Sequence, residues 1–251
     1  MRNAIKRLLS LVGLEVRLKR KVETTKYYYQ SAEMTTALER LRPLISNDIY
    51  TFVDVGAAVG DWSLCAKQFW PNAKFVLCEP LAERAAVLDN LCNSNKDFYF
   101  LPVAAGKEEG EIQFSVTDDL DGSGSAEGLD SKTGNIRTVA VKRIDEELRR
   151  LDLTGPYIIK LDTHGFEVPI IEGCQDILKE VSLFIIECYG LRLTKNSLLF
   201  WEMCEYMDKK GFGLIDIIDI TRRPIDNAFW QCDAFFIPKT SPQFSVNTFK
   251  I

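Results

Sequence analysis

The sequence predicts a doubly wound α/β fold: seven strands in a mostly parallel sheet, with an N-terminal amphipathic helix and a small β insertion. Three observations carry this. From Tyr50 onward, short apolar runs alternate with helical segments, the pattern of βαβ units. Two of the runs, beginning at Thr51 and Tyr157, pass through a small-residue or polar turn into a helix. The last two runs are joined without room for a crossover helix, so the final pair must be antiparallel.

Taken in order, residues 1–21 set Ile5, Leu8, Leu9, Val12 and Val16 at helical spacing against a face of Arg2, Lys6, Arg7, Arg17, Lys19, Arg20 and Lys21. Such a helix suits an anionic membrane surface or a partner, and it equally suits packing on the domain with its charges solvated. With the linker behind it, this segment is placed at 1–49. The strands are expected at 51–55, 74–79, 98–103, 157–162, 182–188, 212–218 and 230–237, with helices at 60–70, 81–94, 167–180 and 197–210. An insertion at 107–145 carries strand-like Glu111–Thr117 and Arg137–Arg143 around a loop rich in Gly, Ser and Asp, Asp118–Asn135. That loop is either a lid over the ligand edge or a plain surface insertion. The main domain is therefore expected to run over 50–240, with a tail at 241–251.

A chain of 251 residues with 46% hydrophobic and 11% aromatic content can bury a sizeable core and is not disordered. Its net charge of -5 argues against nucleic acid as the main partner. Seven widely spaced cysteines, several in apolar runs and none in a CxxC pair, read as reduced thiols. No apolar run is long enough to span a bilayer and no signal peptide is visible, which points to the cytoplasm, with peripheral contact at the inner face of the membrane through residues 1–21 as an added expectation.

The most informative turn is Asp54-Val-Gly56-Ala57-Ala58-Val-Gly60, where small residues let a ligand approach the backbone. Its two glycines are four residues apart, unlike the zero, two and five offsets of dinucleotide-binding folds, so a nicotinamide oxidoreductase is disfavoured. The turn instead resembles the D-x-G-x-G-x-G motif of AdoMet-dependent methyltransferases, with Ala58 in place of the middle glycine. On that likeness Asp54 meets the cationic amino-acid part of S-adenosylmethionine, Gly56, Ala57, Ala58 and Gly60 make room for it, and Glu79, ending a buried strand before Pro80, accepts from the ribose hydroxyls. Ala104 and Ala105 would add backbone to the adenine pocket.

The second informative turn follows Tyr157-Ile-Ile-Lys160-Leu-Asp162 and continues through His164, Gly165 and Glu167 to Gly173. By the switch-point rule it faces the ligand crevice. Lys160, Asp162, Gly165, Glu167 and Gly173 resemble the pattern of the FkbM methyltransferases, and the likeness runs over about residues 50–237. It implies methyl transfer to a hydroxyl of a sugar, glycan or secondary metabolite. His164, the single histidine, is the first choice for a neutral general base, with Asp162 orienting its ring and also touching the cofactor. Glu167 competes for that role or simply favours a helix start. Glu187 and Asp162 would face each other, yet two carboxylates are too few to claim a divalent cation. Glu187, Tyr189, Trp230 and Asp233 are expected along the acceptor pocket, or in the core. A non-enzymatic alternative is a fold that binds the nucleoside, a partner or a membrane without transferring a methyl group.

Overall fold

The computed structural model describes residues 32–45, 51–127 and 135–249. The helix expected over residues 1–21 lies outside them. In chain order the elements are α1 (Ala32–Leu41), β1 (Thr51–Val55), α2 (Asp61–Phe69), β2 (Lys74–Cys78), α3 (Ala82–Ser94), β3 (Phe98–Leu101), β4 (Ala104–Ala105), β5 (Gly110–Val116), β6 (Gly124–Ser125), β7 (Asn135–Lys142), α4 (Ile144–Arg150), β8 (Tyr157–Leu161), α5 (Glu167–Glu172), β9 (Val181–Tyr189), α6 (Phe200–Lys209), β10 (Phe212–Ile218) and β11 (Gln231–Pro238). Seven strands form the main sheet in the order β10-β11-β9-β8-β1-β2-β3. Only β11 runs against its neighbours, pairing antiparallel with both β10 and β9. The short 219–230 connection enforces this, as the sequence implies.

The sheet is wound on both faces because its strands alternate two apolar sets. Phe52, Phe75, Ile158, Ile185 and Phe235 pack with Leu38 of α1, Ala66 of α2 and Leu88 of α3. Val53, Val76, Ile159, Ile186 and Phe236 pack with Leu148 of α4, Ile170 of α5 and Met203 of α6. Strands buried on both faces read as near-continuous apolar runs, as here.

Three elements differ from expectation. Within the supposed linker, α1 buries Met34, Ala37, Leu38 and Leu41, an i, i+3, i+4, i+7 stripe closing the sheet beside β10. The helix expected over 167–180 stops at Glu172 and resumes only as a 3₁₀ turn at Leu178–Glu180. A Cβ at Gly173 would stand 2.1 Å from the Gly106 carbonyl oxygen, so the chain turns there against the β4 segment. Finally, α4 falls within and just beyond the expected insertion. The two expected insertion strands appear as β5 and β7, which pair antiparallel, and a second sheet of order β4-β7-β5-β6 results. The loop between them is described as far as residue 127.

Candidate active site

The pleat determines which side chains meet at the carboxyl edge. Phe52, Ile158, Ile185 and Phe235 share the face packed on α1–α3. Two residues along each strand, on that same face, stand Asp54, Lys160, Glu187 and Asp233. Because β11 is antiparallel, its beginning lies at the edge where β1, β8 and β9 end, and Asp233 sits opposite Glu187. Asp54 likewise pairs in register with Lys160. Four carboxylates, counting Asp162 just past β8, are thus gathered around one buried lysine.

Here a cavity of about 880 Å³ opens, near the upper end of ligand-pocket sizes. Gly56, Ala57, Ala58, Glu79 and Pro80 line one end, joined by Ala104 and Ala105. Asp162, His164, Glu187 and Asp233 line the other. Lys160, Trp62 and Gln231 also line it, and the sequence reading assigned none of them a site role. Lys160 had a signal, a charge inside an otherwise apolar strand.

Gly56 adopts φ +78°, and a Cβ there would stand 2.0 Å from the Asp162 carbonyl oxygen, so glycine is required where the two strand ends cross. Ala58 is held at φ 51° although it is not glycine. Its amide donates to Glu79 Oε2 at 3.0 Å, and the Leu81 amide donates to Glu79 Oε1 at 2.9 Å. Glu79 therefore ties the turn after β1 to the turn after β2. Burial pushes its carboxyl up, against the pull of those amides and of Arg84. Gly60 does not line the cavity. It starts α2 at φ +83°, and a Cβ would press on Leu91 at 2.5 Å, so its role is packing rather than cofactor contact.

Asp54 lies beneath the cavity, 1% exposed, with Oδ2 accepting from Ser63 at 2.7 Å. Its Oδ1 is buried with no hydrogen-bond partner, 3.7 Å from Lys160 Nζ. Lys160 is the cation beside that oxygen, and Asp54, expected to meet the cofactor, does not itself line the cavity. The cradle at Gly56–Ala58 and the carboxylate of Glu79, both on the cavity wall, fit S-adenosylmethionine: the glycine leaves room for it and the carboxylate can accept from its ribose hydroxyls. Burial raises the Asp54 pKa, opposed mainly by Lys160. Burial lowers the Lys160 pKa, but Asp162, Asp54 and Asp233 outweigh it and hold the ammonium above its ordinary value. Burial pushes Asp233 up to about 7, with Lys160 opposing.

The turn after β8 is built by Glu167, which is buried and whose Oε1 accepts from the Gly165 amide at 2.9 Å and Thr163 Oγ1 at 3.1 Å. It faces the turn and does not line the cavity, which removes it as a base candidate. His164 sits at φ 54°, a left-handed conformation that costs a non-glycine residue about 1–3 kcal/mol. Its Nε2 donates to the Asp121 carbonyl at 2.7 Å, and its Nδ1 lies 2.8 Å from Tyr189 Oη and 3.3 Å from Glu187 Oε2. Tyr189 gives its own proton to Glu187, so Nδ1 completes the network by donating. Burial works against the charged ring, but Glu187 and Asp162 win and the pKa is pushed up to about 9. The neutral imidazole expected of a base is thus not the resting form, because two carboxylates surround it. Asp162 is held below its ordinary value by Lys160 and then His164 despite burial, whereas burial and Asp162 raise Glu187.

Tyr189 and Trp230, expected along the acceptor pocket, do not line it. Their rings meet edge to face at 5.8 Å, Tyr189 anchors the Glu187 carboxylate, and the Trp230 carbonyl accepts from the Gly190 amide. The aromatic side chains on the cavity are those of Trp62, Phe114 and Phe166, and Lys160 Nζ lies 5.9 Å from the Trp62 ring centroid. Asp121 of the insertion accepts from His164 through its carbonyl and from Arg84 at 2.5 Å through its carboxylate. The insertion therefore bridges the cavity mouth.

No curated protein matches the chain. Among solved structures, a precorrin-6y C5,15-methyltransferase from Geobacter metallireducens is 11% identical with a TM-score of 0.47, covering 87% of this chain and 94% of its own. A 1,6-didemethyltoxoflavin-N1-methyltransferase from Burkholderia thailandensis is 11% identical with a TM-score of 0.45, covering 94% and 90%. Aeropyrum pernix fibrillarin with bound S-adenosyl-L-methionine is 12% identical with a TM-score of 0.45, covering 79% and 73%. No residue role or substrate is carried over from likenesses this distant. The methyltransferase FkbM domain matches residues 54–214, from the aspartate under the cavity to the middle of β10. That span is more than half of the chain and contains both ligand-edge turns, and the protein belongs to the FkbM family of AdoMet-dependent methyltransferases.

Proposed function

We propose that this protein is an O-methyltransferase whose acceptor is a hydroxyl of a sugar, glycan or hydroxylated secondary metabolite, bound at the Asp162, Glu187 and Asp233 end of the cavity. The observation that supports this reading is the convergence of those three carboxylates beside the cofactor turn. Carboxylates accept from hydroxyls, which are donors, and the exposed part of the Trp62 ring suits the face of a sugar.

S-adenosylmethionine, held by the Gly56–Ala58 turn and Glu79, would supply an electrophilic methyl group. The chain's residues align the acceptor oxygen with it and accept one proton. A carboxylate at the acceptor end takes that proton. His164, charged in these surroundings, offsets the negative cluster and holds Glu187 in place. Among the described residues no helix is long and apolar enough to cross a membrane. The basic pattern of residues 1–21 supports peripheral contact with an anionic membrane at its inner face, where a lipid-linked glycan would be presented.

The test starts with calorimetric binding of S-adenosylmethionine. Methyl-labelled cofactor is then offered with neutral glycosides and hydroxylated aromatics, and products are identified by mass spectrometry and NMR. Alkali-stable O-methyl ethers are expected. Label on nitrogen or carbon overturns the hydroxyl assignment, and cofactor binding without transfer to any acceptor favours the silent binding protein.

A further inference from the structure

We propose that Asp162, His164 and Glu187 form a divalent-cation site at the acceptor end of the cavity, one that takes a first-row ion such as Mn²⁺ and presents it to neighbouring oxygens of the acceptor. The ion site stands on its own geometry. Its use in binding an acceptor rests on the methyl-transfer reading above.

Two carboxylates from the ends of adjacent strands leave the coordination incomplete, and the histidine completes a third position. One ligand atom from each of the three residues lies within 4.8 Å of the others, and His164 Nδ1 is 3.3 Å from Glu187 Oε2. Metal–ligand bonds of about 2.0–2.2 Å put adjacent ligand atoms about 3 Å apart and opposite ones about 4.2 Å apart. One pair is already at the adjacent spacing, and the widest separation closes by a few tenths of an ångström. An oxygen, oxygen and imidazole set suits a first-row divalent ion better than Ca²⁺.

The second observation is that each ligand is oriented from behind, as metal ligands are. His164 Nε2 donates to the Asp121 carbonyl at 2.7 Å, which leaves Nδ1 as the atom facing the carboxylates. Gln231 Nε2 donates to Glu187 Oε1 at 2.5 Å, and Lys160 Nζ donates to Asp162 Oδ2 at 3.0 Å. The left-handed backbone at His164 pins the ring in this position.

Charge is the third observation. Asp54, Asp162, Glu187 and Asp233 gather around Lys160, so carboxylates outnumber the ammonium there, and Asp162, Glu187 and Asp233 line the cavity. A dication held by Asp162, His164 and Glu187 would offset that excess. Its open positions would face the cavity, where adjacent hydroxyls of a sugar could complete the coordination.

The experiment is Mn²⁺ binding to the full chain saturated with S-adenosylmethionine, followed by loss of the free-ion signal in electron paramagnetic resonance. One bound ion per chain is expected, and Glu187→Gln and His164→Ala are each expected to weaken it by at least about tenfold. Thermal melting checks that both variants fold. If they do not, electron spin-echo modulation on the wild type decides the matter: ¹⁴N coupling from a coordinated imidazole supports the site and its absence overturns it. An unchanged free-ion signal, or an affinity untouched by both substitutions, also overturns it. If the cofactor binds and Mn²⁺ does not, only the ion site falls. If neither binds, the methyltransferase reading falls with it.

Discussion

Lys160→Met removes the buried cation beside Asp54 and Asp162, and the consequence can be worked from its neighbours. Lys160 Nζ lies 3.0 Å from Asp162 Oδ2 and 3.7 Å from Asp54 Oδ1. Methionine fills much of the lysine stem, so loss of packing contributes little. Removing one partner of a buried ion pair costs about 3–5 kcal/mol, because the other charge is stranded. The Asp162 side chain is 34% exposed and regains water, whereas that of Asp54 is 1% exposed and does not. The cost therefore falls at the lower end, about 3 kcal/mol. With a urea slope of roughly 2–3 kcal/mol/M for a chain of this size, the unfolding midpoint drops by about 1 M at neutral pH. The deficit should depend on pH. Burial already raises the Asp54 carboxyl above its unfolded value, and loss of Lys160 raises it further. A group whose folded pKa is raised favours the folded state at low pH and loses that contribution as pH rises through the folded value. The deficit of Lys160→Met should consequently shrink as the solution is acidified through the raised Asp54 pKa. Asp54→Asn added to the same chain should recover most of it at neutral pH. Urea unfolding followed by tryptophan fluorescence at several pH values measures all three effects. A loss under about 1 kcal/mol, or a deficit flat with pH, would refute the claim that Lys160 offsets Asp54.

Three further outcomes follow from the same geometry. Gly56→Ala drives a Cβ into the Asp162 carbonyl and adds about 1–2 kcal/mol of left-handed strain, so calorimetry should show S-adenosylmethionine affinity reduced at least about tenfold; wild-type affinity would contradict the cradle. Glu167→Gln keeps an acceptor for the Gly165 amide and should retain most turnover, whereas Glu167→Ala should lose it; equal loss in both would restore Glu167 as a base. Deleting residues 1–21 should abolish sedimentation with anionic vesicles while sparing cofactor binding, and undiminished sedimentation would exclude that segment as the membrane contact.

The cofactor half of the cavity was legible because its chemistry is local. Asp54, Gly56, Ala57 and Ala58 occupy one strand-to-helix turn, and Glu79 ends the next strand, so the motif and its spacing are contiguous along the chain. Gly60 shows the limit of such reading. It belongs to the motif, yet its missing side chain makes room for Leu91 rather than for a ligand. The acceptor half was harder to read because it is assembled from three strand ends. Gln231 meets Glu187, and Lys160 meets Asp54, only through sheet register, and Tyr189 and Trp230 turn out to support the wall instead of forming it. The helix α1 was missed because its apolar stripe is short, spanning a helix of ten residues ahead of the first strand.

The sequence by itself determined the alternation of strands and helices, the antiparallel last strand and the two turns that open on the ligand edge. These follow from hydrophobic period and loop length, which are properties of neighbouring residues. Only the tertiary structure decided that Glu187 and Asp162 raise the His164 pKa, that Glu167 faces inward and that Tyr189 and Trp230 stand behind the cavity wall. Protonation and orientation depend on which charges are brought together in a medium too dry to screen them, and that juxtaposition exists only once the sheet has formed.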